Sequence, residues 1–82
     1  MTENDILSDL TIILRDLLGD DSIMLAMDTQ REHVPNWDSF NYINFMVAVE
    51  QKFRVKFKVS DIETFPNVGA IVRQIAALRP GA

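Results

Sequence analysis

Three residues within seven positions carry the ingredients of acyl transfer: His33, the single histidine, followed by Asp38 and Ser39. A serine activated by a histidine that a carboxylate orients attacks carbonyl carbon, provided the three meet beside an oxyanion hole. A chain of 82 residues leaves little wall from which to build such a hole, and a lone loop histidine is more often surface than catalyst. Asp20, Asp21 and Asp28 offer oxygen ligands to a hard cation, without the fixed spacing of a ligand loop. The absence of cysteine excludes disulfides, thiolate nucleophiles and zinc sites built on sulfur. Lys52, Arg54, Lys56 and Lys58 alternate with Phe53, Val55 and Phe57, and basic residues beside aromatics bind nucleic acid when the rings are free to stack. In an extended segment, however, those rings point away from the basic side chains, and a solvated basic face over core-anchoring aromatics is the plainer reading. Ser39 remains. It stands where a helix begins, where free backbone N–H groups and the helix dipole favour negative charge. Two readings fit it equally: a helix N-cap, or the attachment point of a phosphodiester.

The elements that must position these residues are short of chain. Apolar residues make up 48% and charged residues 24%, ordinary globular composition, and residues 1–82 are too few to divide into two cores, so a single domain is expected. The longest apolar runs, Ile23 to Met27 and Phe45 to Val49, are five residues each, against the roughly 20 that a membrane span requires. The acidic N-terminus lacks the pattern of a secretory signal, so a cytoplasmic protein without a membrane partner is expected. The net charge of −4 divides unevenly, residues 1–38 summing to −7 and residues 39–82 to +3. An acidic chain is poorly matched to a phosphate backbone, and no nucleic-acid partner is expected.

Ile6, Leu10, Ile13, Leu14, Leu17 and Leu18 form the stripe of an amphipathic helix from about Glu3 to Leu18, with a cap at Thr2-Glu3-Asn4-Asp5 and a stop at Gly19. Residues 19–38 have no sustained period and read as a long ordered loop, anchored by Ile23, Leu25, Met27 and Val34, with room for one helical turn. A second helix starts at Asp38-Ser39 and places Tyr42, Ile43, Phe45, Met46, Val49 and Phe53 on its inner arc. Asn41, Asn44, Ala48, Gln51 and Lys52 fall on the opposite arc, with Phe40 and Val47 at the boundary. Lys52 to Val59 alternates like a strand, but no second strand exists to pair with it, so an extended connector with Phe53, Val55, Phe57 and Val59 inward is expected. Ser60-Asp61-Ile62-Glu63 reads as a capping box opening a short helix that Pro66 closes. Asn67 caps a last helix with Val68, Ile71, Val72, Ile75 and Leu78 inward, ended by Pro80-Gly81. The fold class is all-α: a four-helix bundle of three longer helices and one short one, with a long loop between helices 1 and 2.

Asp38-Ser39-Phe40 at the start of the second helix resembles the Asp-Ser-Leu motif of the acyl carrier and peptidyl carrier family. The likeness continues through Met46-Val47-Ala48-Val49-Glu50-Gln51-Lys52-Phe53, Val59-Ser60-Asp61-Ile62 and Phe65-Pro66-Asn67-Val68-Gly69, four segments in register across essentially the whole chain. The resemblance implies that Ser39 is the attachment point of 4′-phosphopantetheine, donated by coenzyme A through a separate Mg²⁺-dependent phosphopantetheinyl transferase. It implies that Asp38 helps that transferase present the metal ion and the serine. The chain is then no enzyme but a monomeric carrier of an acyl or aminoacyl thioester, whose partners are acyl-loading, condensing or modifying enzymes. The partner face implied on helix 2 is Phe40, Asn41, Asn44, Val47, Ala48 and Gln51, with Phe40 open between that role and a place in the core.

Departures from the family pattern point to a particular kind of carrier. Carriers of bacterial fatty-acid synthesis usually have an acidic second helix, whereas Glu50 is the one acid between Ser39 and Phe53 here. Trp37 and Phe40 replace the commoner glycine or alanine and leucine. A specialised polyketide, nonribosomal or modified-acyl pathway is therefore expected, with housekeeping fatty-acid synthesis as the alternative. An unmodified helical module that binds a partner helix explains the fold equally well.

Overall fold

Thr2 opens the first helix through the reciprocal bonds that its sequence predicts. Its hydroxyl accepts the Asp5 N–H at 3.1 Å, and the Asp5 carboxylate accepts the Thr2 N–H at 2.9 Å. Two N–H groups at the helix entrance are satisfied at once, and these bonds, the one from the Thr2 N–H foremost, hold the Asp5 carboxyl below the usual carboxylate range. The helix, α1, spans Glu3–Leu18 and ends at Gly19, whose φ of 64° is the left-handed conformation that glycine adopts without strain. The computed structural model describes residues 2–79; after α1 come a 3₁₀ turn at Arg31–His33, α2 (Ser39–Phe53), α3 (Val59–Thr64) and α4 (Val68–Leu78). The architecture is the expected helical bundle with its long first loop, and no strand occurs among the described residues. Pro80 and Gly81, expected to end the last helix, lie outside them.

The core follows the stripes. Ile6, Leu10 and Leu14 of α1 meet Phe45, Met46, Val49 and Phe53 of α2 and Val68, Ile71, Val72 and Ile75 of α4, all buried, and α1 packs against both other long helices. Leu17 and Leu78, assigned to these stripes by periodicity, sit exposed in the last turn of their helices. The connector is shorter than the alternation suggests: α2 takes in Lys52 and Phe53, Arg54 caps it with a φ of 57°, and residues 55–58 alone lie between the helices, with Val55 and Phe57 buried. Glu50 fixes its course: one carboxylate oxygen accepts the Phe57 N–H at 2.8 Å, and the other lies 3.9 Å from Lys56 Nζ. Val59 departs from expectation, because α3 begins there and the side chain points to solvent. The expected capping box at Ser60 is also absent. The Asp61 and Ile62 N–H groups both donate to the Lys58 carbonyl, so the helix starts from backbone alone and Ser60 falls within its first turn.

The loop of residues 19–38 is tied down along its length. Arg15 Nε donates to the Ile23 carbonyl at 2.7 Å, and Ile23 and Leu25 are buried. The N–H groups of Val68 and Gly69, at the free end of α4, donate to the carbonyls of Thr29 and Met27 at 2.9 and 2.7 Å. This close approach requires glycine, since a Cβ on Gly69 would stand 2.6 Å from the Met27 oxygen. Gly69→Ala should therefore push the loop off α4 and cost about 1–3 kcal/mol, read as a lower urea midpoint. A midpoint unchanged from native would mean that the loop is not held at this point.

Candidate functional site

Trp37 carries the loop into the core two residues before Ser39. It is 4% exposed and packs edge-on against Phe45, with ring centroids 5.1 Å apart, and at a tilt against Tyr42 at 6.1 Å. Asn36 turns the chain just before it with a φ of 69°, a conformation that asparagine tolerates better than most residues. Asn41 Nδ2 clamps that turn by donating to the Asn36 carbonyl at 2.8 Å. The helix that follows is capped by Asp38, not by Ser39: Asp38 Oδ1 accepts the Asn41 N–H at 2.9 Å, and the Asp38 carbonyl accepts the Tyr42 N–H at 2.8 Å. Of the two readings that the sequence left open for Ser39, the cap is excluded. Asp38 is the better cap by charge, because its carboxylate meets the positive end of the helix dipole. Ser39 becomes the first residue of α2, exposed, with its hydroxyl not engaged in capping.

The hydroxyl has one neighbour that sequence reasoning missed. Arg31 Nη1 lies 3.4 Å from Ser39 Oγ, although the two residues are eight apart and no local pattern joins them. Arg31 sits in the 3₁₀ turn and holds its guanidinium carbon over the Tyr42 ring, 5.2 Å from the ring centre. Tyr42 is held in turn by its phenol, which donates to the Ile62 carbonyl at 2.6 Å. Burial raises the pKa of that phenol, an effect that the Arg31 charge partly opposes, so it stays a donor at neutral pH. Arg31, Ser39, Tyr42, Ile43, Ile62 and Glu63 line a shallow groove of about 220 Å³ between α2 and α3. An exposed hydroxyl at a helix entrance, with a cation beside it and an open groove leading away, fits a phosphodiester on Ser39.

His33 does not complete a triad. Its Nδ1 faces the N–H of Gln30 at 3.4 Å, and the residue that contacts Ser39 is Arg31. An arginine has no acceptor and cannot take the serine's proton. Among the described residues no group of three His, Asp or Glu side chains converges as a metal site would require, and Asp20, Asp21 and Asp28 are not brought together in one. Asp20 instead bonds Ser22, through its hydroxyl first and then its N–H, which lowers the Asp20 pKa. The basic run is exposed at Lys52, Arg54, Lys56 and Lys58, with Phe53 and Phe57 turned into the core as expected.

On α2, Phe40 is 74% and Val47 48% exposed, which resolves the position of Phe40 in favour of the surface. Gln51 is exposed, whereas Asn41, Asn44 and Ala48 are half-buried. Ile43 corrects the helical wheel. Periodicity puts it on the inner arc, but it is 53% exposed, because four residues bring it back to the side of Ser39 and the six-residue α3 leaves it uncovered. A larger hollow of about 420 Å³, lined by Val47, Glu50, Gln51, Arg54, Val55 and Lys56, lies toward the far end of α2. Among the described residues no helix is long and apolar enough to cross a membrane.

The solution structure of the holo acyl carrier protein from Geobacter metallireducens is similar to this chain over nearly its whole length. The two are 30% identical, with a TM-score of 0.80, and the match covers 88% of this chain and 83% of that one. No family model matches the sequence, and no curated protein matches it significantly.

Proposed function

Because this chain belongs to the acyl carrier protein family, we propose that Ser39 is the attachment point of 4′-phosphopantetheine and that the chain presents an acyl or aminoacyl thioester to partner enzymes. The observation that carries this reading is the placement of Ser39: exposed at the first position of α2, relieved of capping by Asp38, and contacted by a cation rather than a base. The serine is therefore not activated by its own chain, and a separate transferase must attach the group. When attached, phosphopantetheine supplies the terminal thiol on which the acyl group is held. Asp38 lies next to Ser39 with one oxygen committed to the Asn41 N–H, which leaves the other to help a transferase position Mg²⁺. The chain contributes presentation and no catalytic step.

The absence of cysteine gives this reading a direct test. After incubation with coenzyme A, Mg²⁺ and a broad-specificity phosphopantetheinyl transferase, a thiol-reactive maleimide dye should label the chain, which before treatment has no thiol. No labelling under conditions where a known carrier is labelled would sink the reading and favour the unmodified helix-binding module.

The partner face is the row along α2 that begins at Phe40 and passes Asn41, Asn44, Val47 and Ala48 to Gln51. Its acidic charge is slight, since Glu50 is turned toward Phe57 and Lys56. Recognition then rests on apolar contact and amides more than on charge steering. Phe40→Ala and Val47→Ala should each lower kcat/KM of the transferase on the order of ten-fold, with thermal melting unchanged because neither side chain is core. Native rates in both variants would move the face elsewhere. The same weak acidity supports a specialised assembly pathway over housekeeping fatty-acid synthesis. Loaded chain should be a poor substrate for a fatty-acid condensing enzyme, and turnover equal to that of a housekeeping carrier would contradict this assignment.

A further inference from the structure

Arg31 is placed with more care than a surface arginine needs. Its backbone is fixed in the 3₁₀ turn, where the Val34 N–H donates to the Arg31 carbonyl at 3.1 Å. Its guanidinium lies over the Tyr42 ring at 5.2 Å, and that ring is locked by the 2.6 Å bond to the Ile62 carbonyl. Glu32 and Glu63 line the neighbouring groove with it, yet neither carboxylate comes within ion-pair distance of the guanidinium. What Arg31 does contact is Ser39 Oγ, at 3.4 Å from Nη1. A neutral hydroxyl gives little reason to hold an unpaired cation in this pose.

Resting on the carrier reading of Ser39, we propose that Arg31, braced on Tyr42, is the binding residue for the phosphodiester of the attached group. Phosphorus bound to Oγ lies one bond from the atom that Nη1 already touches. Its two unesterified oxygens then fall within reach of the guanidinium and accept charge-assisted hydrogen bonds from it. The guanidinium suits the task, because its fork of N–H donors can meet two phosphate oxygens at once, whereas a lysine offers a single point charge. The cation also offsets the carboxylate of Asp38, which stands beside the same phosphate and repels it. The consequence is mechanical. Attachment joins the 3₁₀ turn of the first loop to the start of α2 through the phosphate, so the arm swings from a fixed root and the loop stiffens when the carrier is loaded.

The test compares native, Arg31→Gln and Arg31→Lys chains in apo and holo forms, with intact mass confirming attachment in each. In the native chain, conversion to holo should move the Arg31 Nε–H resonance and the amides of residues 31–33, and it should raise the melting temperature. Arg31→Gln should load fully, show a different ³¹P chemical shift, and lose at least half of the rise in melting temperature; Arg31→Lys should recover only part of it. High salt should shrink the native rise. An identical ³¹P shift and an equal rise in Arg31→Gln would overturn the assignment while leaving the carrier reading intact. Failure of the native chain to gain mass would overturn both, and the mass measurement tells the two failures apart. Because Arg31 is exposed, the variants should fold as the native chain does.

Discussion

Ser39→Ala abolishes labelling by the maleimide dye and leaves the fold essentially untouched. The first effect is total, because the variant has no oxygen to attach the group and the chain has no cysteine to react in its place. The second follows from position. Ser39 is the first residue inside α2 and not its cap, and its one side-chain bond is the exposed 3.4 Å contact with Arg31. Alanine is a good helix former, so the stability change should stay within about 0.5 kcal/mol. If Ser39 were the cap, the same substitution would cost about 1 kcal/mol, the loss now expected of Asp38→Ala instead. Urea titrations of the two variants separate these cases. Labelling that persists in Ser39→Ala would mean that another hydroxyl is the attachment point.

The largest expected loss of stability belongs to Trp37→Ala. Trp37 is 4% exposed, wedged against Phe45 and Tyr42, and it holds the end of the first loop two residues from Ser39. Emptying that space costs about 3–5 kcal/mol, in a domain of this size whose whole stability is about 4–12 kcal/mol. At the low end of that range the loss removes all of the stability, and at the high end it removes about a third. Trp37→Phe should cost much less, because it keeps an aromatic ring in place and removes the indole N–H, which is buried without a hydrogen-bond partner. Chemical denaturation followed by circular dichroism provides the comparison. A loss of under 1 kcal/mol for Trp37→Ala would show that the loop is not anchored there and that Ser39 is positioned from α2 alone.

The sequence was most legible where a single local rule decided the outcome. Thr2 with Asp5, Gly19, and Asn67 with the Ala70 N–H all cap as their side-chain chemistry requires. Alternation from Lys52 onward located Phe53, Val55 and Phe57 in the core, and the lack of a pairing partner ruled out a strand, although α2 runs through Phe53 before the connector begins. Legibility failed where two rules competed or where the decisive contact was remote. Asp38 and Ser39 are both good caps, and only the geometry of the incoming turn, clamped by Asn41 on Asn36, selects the aspartate. Ile43 looks like core on a wheel, yet whether it is covered depends on how far the short α3 reaches. Arg31 meets Ser39 only because Trp37 pulls the loop inward, and no spacing along the chain encodes that meeting.

The most direct test of the carrier reading is the intact mass of the native chain after incubation with coenzyme A, Mg²⁺ and a transferase proven active on another carrier, followed by fragmentation to locate any addition. The expected result is an increase of one phosphopantetheine, borne by the peptide that contains Asp38-Ser39-Phe40. An unchanged mass would contradict it, as would an addition mapped to any other residue.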